Sequence, residues 1–185
     1  MAGCTITAGY GVPCKDYIGG IKALYFGALE DFATGVTITA GSVAELPSAS
    51  IYKYELKPGT GSYTDVPTGD TAAHTVYFEQ TATAYFNALV LAKGVATERL
   101  DFEALARGRW VIFVQDSNDN IFMAGRIRGA ELTSGDWTTG TGIGDANGYN
   151  CTFVATEAAP APPLEDFTAV PFDNFPDIQV DPITT

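Results

Sequence analysis

From Thr75 to Val90 the run TVYFEQTATAYFNALV alternates with a period of two. Val76, Phe78, Gln80, Ala82, Ala84, Phe86, Ala88 and Val90 share one face. Tyr77, Glu79, Thr81, Thr83, Tyr85, Asn87 and Leu89 share the other, which is the pattern of a strand with one apolar side. Some fifteen residues at about 3.3 Å each would reach about 50 Å, well beyond the five or six residues usual for a strand. Part of the strand is therefore predicted to outrun its domain. Bare backbone N–H and C=O groups on such an edge recruit other strands, so the pattern predicts self-association.

The period changes once. Residues 98 to 107 read as a short helix, with Thr97 as N-cap, Glu98, Asp101 and Glu103 near its positive end, Arg107 in the last turn and Gly108 as a left-handed exit. Leu100, Ala104 and Leu105, with Phe102, give it a face to lay on a sheet, and Glu103 with Arg107 has i,i+4 spacing. RWVIFVQ and NIFMAGRI around DSND read as a hairpin. Residues 130 to 137 predict a short strand, and YNCTFVATE a closing one.

Upstream, IGGIKALYFGALE (18–30) predicts the first strand, its Gly19-Gly20 pair allowing a bulge and Leu24, Tyr25 and Phe26 supplying core. GVTITAG and SIYKYELKPG predict two more, the latter with Ile51, Tyr52, Tyr54 and Leu56 as apolar positions. GTGSYTDVPTGDTAAH (59–74) reads as a long loop of the kind that usually reaches a partner. The expected fold is mainly β, a β-sandwich or half-open barrel with one short flanking helix. Residues 1 to 16 form an N-terminal arm, 17 to 157 the β domain and 158 to 185 an acidic, proline-rich C-terminal extension.

That extension carries Pro160, Pro162, Pro163, Pro171, Pro176 and Pro182 and no Lys or Arg. It is expected to be extended or disordered. Pure spacer has no use for aromatics, so Phe167, Phe172 and Phe175 are candidate assembly contacts on a neighbouring subunit. On this reading, deleting residues 159 to 185 should leave a folded domain that assembles less well.

Charge and composition narrow the picture. The 185 residues are 46% hydrophobic and 17% charged, which suits a globular β-rich domain. All ten Lys and Arg lie at or before Arg128, against 13 acids, and from Gly129 onward nine acids meet no base. A net charge of −12 argues against binding nucleic acid through phosphates, with Arg107, Arg109, Arg126 and Arg128 as the small basic exceptions. No apolar run is long enough to span a bilayer, and the N-terminus lacks the features of an export signal. Cys4, Cys14 and Cys151 suggest neither a disulfide framework nor a zinc site.

Chemistry-bearing residues are few. His74 is the single histidine and has no nucleophile motif beside it. Asp116, Asn118 and Asn120 resemble the opening of a calcium loop, but Ile121 and Ile127 stand where that loop needs Gly and Glu. TTGTGIGDANG leads into a strand and not a helix, so a phosphate-cradling reading fails on context. Trp110 reads as core, and Trp137 could serve a sugar platform. No catalytic, cofactor-binding or metal-binding residue is assigned.

GYGVPCKDYIGGIKALYF, FMAGRIRGAELTSGDWTTGTGIGDANGYNCTFVATE and the elements between them resemble structural proteins of tailed-bacteriophage virions, most of all tail tube (major tail) proteins. The resemblance covers about residues 10 to 158 and rests on a Gly-Arg pair entering a strand and a GD-x-x-GY turn entering the last one. It implies a sandwich of tail-tube type whose subunits form rings, usually hexameric, that stack into a hollow conduit. It implies further virion tail or connector proteins as partners, assembly in the bacterial cytoplasm, and DNA that passes without specific binding. An acidic wall would keep that DNA from adhering. Two other readings stand beside it: a capsid decoration or head-to-tail connector protein, and a carbohydrate-binding or adhesin β-sandwich.

Overall fold

A computed structural model describes residues 17–70, 72–87, 97–165 and 170–181. The N-terminal arm (1–16), the end of the long alternating run (88–90) and Phe167 lie outside them. The strands are β1 (Ile21–Ala28), β2 (Thr37–Thr39), β3 (Ser42–Glu45), β4 (Ala49–Glu55), β5 (Gly61–Asp70) and β6 (Thr75–Asn87). The helix α1 (Thr97–Arg107) follows, and then β7 (Trp110–Asp116), β8 (Ile121–Ala124), β9 (Glu131–Thr138), β10 (Gly148–Glu157) and β11 (Ile178–Asp181). A 3-10 turn at Leu29–Phe32 follows β1.

One sheet has the order β11-β4-β1-β7-β8, a second β5-β6-β10-β9, and β2 and β3 form a hairpin. IKALYFGA and WVIFVQD are apolar at both parities, so β1 and β7 are buried residue after residue and not alternately. Leu24, Phe26, Ile112 and Val114 point into a core shared with Ala82, Ala84, Cys151 and Phe153 of the second sheet and with Leu105 of α1. Tyr25, Val111 and Phe113 point the other way, into a second core. The five-stranded sheet is thus a middle layer. The protein is mainly β, and its two facing sheets are compatible with a β-sandwich.

β6 carries the alternation seen in the sequence: Gln80, Ala82 and Ala84 are buried and Thr81, Thr83 and Tyr85 only partly so. What reads as a loop at 59–74 is mostly strand. β5 pairs with β6 from Gly61–Ala84 to Asp70–Thr75, making a hairpin whose last residues pass beyond Phe78, where β10 ends at Glu157. β5 is an edge strand, the one place in a sheet where Pro67, with no N–H to give, is tolerated.

α1 covers the expected residues, with Glu103 and Arg107 paired at 2.7 Å. Gly108 is not a left-handed exit. Its reason is space: an added Cβ would lie 2.6 Å from the Trp110 indole, whose Nε1 donates to the Leu105 carbonyl at 3.1 Å. The Gly19-Gly20 pair precedes a register shift between Ile21 and Ala23 where β1 meets β7.

The C-terminal segment departs most from expectation. It is a belt on the five-stranded sheet, not a free extension. At the β8 edge Met123 N–H donates to Pro162 O (2.9 Å) and Leu164 N–H to Ile121 O (2.8 Å). On its other side Val43 N–H donates to Pro163 O (2.8 Å) and Glu165 N–H to Val43 O (3.1 Å), so residues 162–165 join β8 to the β2–β3 hairpin. At the opposite edge β11 runs parallel to β4, with Ile178 beside Ala49. Phe172 and Phe175, each 4% exposed, lie in the second core of this same chain. Phe172 meets Tyr25 at 5.0 Å and Phe113 at 5.3 Å between ring centroids, both edge-on. They are therefore core residues here and not free to dock on a neighbour. Proline lacks a donor but keeps its carbonyl, and Pro162 and Pro163 enter this pairing only as acceptors.

Two ionisable groups buried in these cores carry a pH prediction. Burial first, then the charges of Glu55 and Asp119, pushes the Tyr25 hydroxyl from near 10 to about 12. It donates to Gln115 Oε1 at 2.9 Å, and Gln115 Nε2 donates to Asp119 at 2.9 Å. Burial, with a smaller effect of Asp136, raises the Cys151 thiol from near 9 to about 12. Both values are raised in the folded state, so the unfolded chain releases these protons first as pH rises. Their contribution to stability is complete below about pH 9 and is lost between about 9 and about 12. Thermal melts should hold a level Tm to about pH 9 and then fall. A flat profile to about pH 11 would contradict the buried hydroxyl and thiol.

Candidate functional site

Among the described residues three polar side chains are buried, Gln80, Gln115 and Glu157. Two of them hold one short loop. Glu157, the last residue of β10 and 4% exposed, lies at the same parity as Cys151, Phe153 and Ala155. Its Oε1 accepts the N–H groups of Ile127 (2.9 Å) and Arg128 (2.8 Å). Gln80, at the parity of Ala82 and Ala84 on β6, accepts the Gly125 N–H at 2.9 Å through Oε1. Its Nε2 donates to the Ala159 carbonyl at 3.3 Å, tying the start of the belt to the same point.

The loop, residues 125–129 between β8 and β9, turns on two glycines with positive φ, +67° at Gly125 and +82° at Gly129. At Gly125 a Cβ would lie 2.6 Å from Ala130 N, so both conformation and space require glycine. Gly129 N–H closes the loop on Gly125 O at 3.1 Å. The loop so held displays Arg126, Ile127 and Arg128, with Ile127 56% exposed. Beside it Leu29, Phe32, Val36, Arg126 and Ile127 line a cleft of about 390 Å³, with Glu30 on its wall.

Arg107 and Arg109 belong to this end of the molecule too, but they are paired, with Glu103 and Glu131, each at 2.7 Å. Among the described residues no ion pair takes Arg126 or Arg128. The projecting β5–β6 hairpin is at this end as well, since Glu157 pairs with Phe78, and it exposes Val76 (60%) and Tyr77 (38%).

The opposite end has another character. β9 runs from Glu131, paired with Arg109, to Thr138, paired with Gly148. Asp136 and Trp137 lie near that far end, Trp137 is 60% exposed, and Ile143 in the following loop is fully exposed. Asp145 shapes this loop by accepting the N–H groups of Gly142 (2.6 Å) and Thr141 (2.8 Å), which hold its carboxyl below the usual carboxylate range. It is an anion at neutral pH. The Gly/Thr stretch is therefore a self-closed turn between strands. It does not open a helix.

The remaining candidates have ordinary surroundings. His74 is exposed at the hairpin tip, where Asp70 caps the N–H groups of Ala72 and Ala73. Asp116 folds its own turn, its Oδ1 accepting Asn118 and Asn120 N–H at 2.8 Å each. Among the described residues no group of three His, Cys, Asp or Glu side chains could hold a metal ion, and no helix is long and apolar enough to cross a membrane. Phe172 and Phe175 are in the belt, buried in the second core.

Sequence reasoning passed over the 125–129 loop as a site. Its signal was available: Gly125 and Gly129 bracket Arg126-Ile127-Arg128, and Gln80 and Glu157 are polar residues at apolar parity.

Fold and surface together define a mainly β protein of two facing sheets, with a rigid basic loop at one end of β9 and an acidic, aromatic end at the other. Comparison with family models, curated proteins and solved structures gave no match.

Proposed function

We propose that this protein is a virion structural subunit, a tail tube protein of a tailed bacteriophage whose copies assemble into stacked rings around a passage for the genome. The observation that carries this reading is that exposed apolar residues stand at both ends of the four-stranded sheet, Val76, Tyr77 and Ile127 at one and Trp137 and Ile143 at the other, with Tyr17, Ile18, Ile38, Tyr52, Val66 and Val170 also exposed. Surfaces of this kind mark contacts with other proteins, and two different ones suit repeated addition of copies. β5 and β9, the outer strands of the second sheet among the described residues, add strand surface for the same purpose. The net charge of −12 suits a wall along which DNA passes without adhering.

Negative-stain electron microscopy of concentrated protein should show rings or tubes with a central hole. A monomer that persists at every concentration would overturn the reading. The exposed Trp137 favours carbohydrate binding as the second reading, and retention on immobilised polysaccharide by a protein that does not assemble would establish it in place of the first.

A further inference from the structure

We propose that the Arg126–Arg128 loop and its adjoining cleft receive the Asp136–Trp137 end of β9 from a second copy of this chain, head to tail. The proposal rests on the self-assembly reading and names the surface that reading needs.

The receiving side is rigid before contact. Two buried side chains, Glu157 and Gln80, fix its backbone through three hydrogen bonds, and the two glycines set the turn. A loop fixed in advance loses little conformational freedom on binding. It offers what a partner can use: guanidinium groups with no ion pair among the described residues, the exposed Ile127, and an apolar-walled cleft of about 390 Å³. That volume is in the range of pockets that enclose a sizeable group.

The donating side is complementary to the arginines and to the apolar wall of the cleft, and Glu30 lies on that wall. Trp137 is an exposed aromatic of the kind that anchors protein contacts, and Asp136 beside it is an exposed carboxylate. Asp145 in the adjacent loop adds a fixed negative charge. Charge favours the pairing: tip against tip would bring only carboxylates together, whereas loop against tip sets carboxylates against Arg126 and Arg128, with Glu30 the one acid among the residues lining the cleft.

The two sides lie at opposite ends of one strand, about 23 Å apart for the eight residues of β9. A copy bound by its loop therefore still presents a free Trp137, and one bound by its tip a free loop. This is a heterologous contact, which closes into a ring or continues as a filament.

Two variants test it in the full-length chain. Arg126→Ala with Arg128→Ala disables the loop and leaves the tip; Asp136→Lys with Trp137→Ala disables the tip and leaves the loop. Each alone, checked for folding by circular dichroism, should remain a monomer in sedimentation velocity at concentrations where the wild type assembles. Mixed, they should form a 1:1 complex and nothing larger, weakened by added salt. If either variant assembles like the wild type, or the mixture stays monomeric while the wild type assembles, this interface is wrong and self-assembly stands. A wild type that never associates removes both. Should the arginine variant fail to fold, wild type mixed with Asp136→Lys/Trp137→Ala decides: that variant should cap growing assemblies and shorten them, and undiminished assembly overturns the contact.

Discussion

Removing residues 159 to 185 is expected to leave a chain without a stable fold. The segment contributes Leu164, Phe172 and Phe175, at 8%, 4% and 4% exposure, to the second core. Each such side chain contributes about 1.5–3 kcal/mol by burial. Deletion also bares what they cover, including Tyr25 and Phe113, and strips backbone partners from β8 and β4 at once. The total is comparable to the ~5–15 kcal/mol that holds a domain of this size together. Phe172 sharpens the point, since its backbone sits at φ +67°, a conformation that costs a bulky residue about 1–3 kcal/mol. The belt holds it there because the ring fits between Tyr25 and Phe113. Phe172→Ala with Phe175→Ala should each cost about 3–5 kcal/mol. The chain ending at Ala158 should lose its cooperative melt and bind a hydrophobic dye, and a truncated protein melting within a few degrees of the full chain would refute the belt.

Glu157→Ala should have the second largest effect. The substitution strips the Ile127 and Arg128 N–H groups of their shared acceptor. Both residues lie at the surface, where water can take over part of the acceptor's role, so a loss of about 1–3 kcal/mol is expected. Glu157→Gln keeps a carbonyl oxygen and should lose clearly less. Hydrogen exchange separates this from general destabilisation: the amides of Ile127 and Arg128 should exchange much faster in Glu157→Ala, while those of β1 and β7 change only with global stability. Unchanged protection at residues 127 and 128 would show that the carboxylate does not hold the loop.

The long alternating run and the helix were legible because their periodicities reflect one-sided burial, and β6 and α1 are buried on one side. β1 and β7 were recognisable as strands, but their apolar residues at both parities also announced a sheet covered on both faces, and what covers it was hidden. β5 was missed because GSYTDVPTGD carries glycine, proline and aspartate, and Tyr63 is its one large aromatic. Its pairing comes from β6, and neighbours override weak local preference in a sheet. The belt was misread for a related reason: prolines lack only the donor, and in residues 162–165 Pro162 and Pro163 serve as acceptors through their carbonyls while Leu164 and Glu165 donate; β11 itself holds no proline. The loop at 125–129 depends on Glu157, 30 positions away from Ile127, a separation that no local pattern spans.

The belt follows every strand it covers in chain order. Ile178 must find Ala49, and the edges at β8 and β4 stay open until residues 162–181 have left the ribosome. Until then the five-stranded sheet offers two unpaired edges and a bare aromatic face, the features that make partly folded chains pair wrongly. The arrival of residues 162–181 is therefore also the moment when this sheet stops being able to join another, leaving β5 and β9, the outer strands of the second sheet, for later contacts.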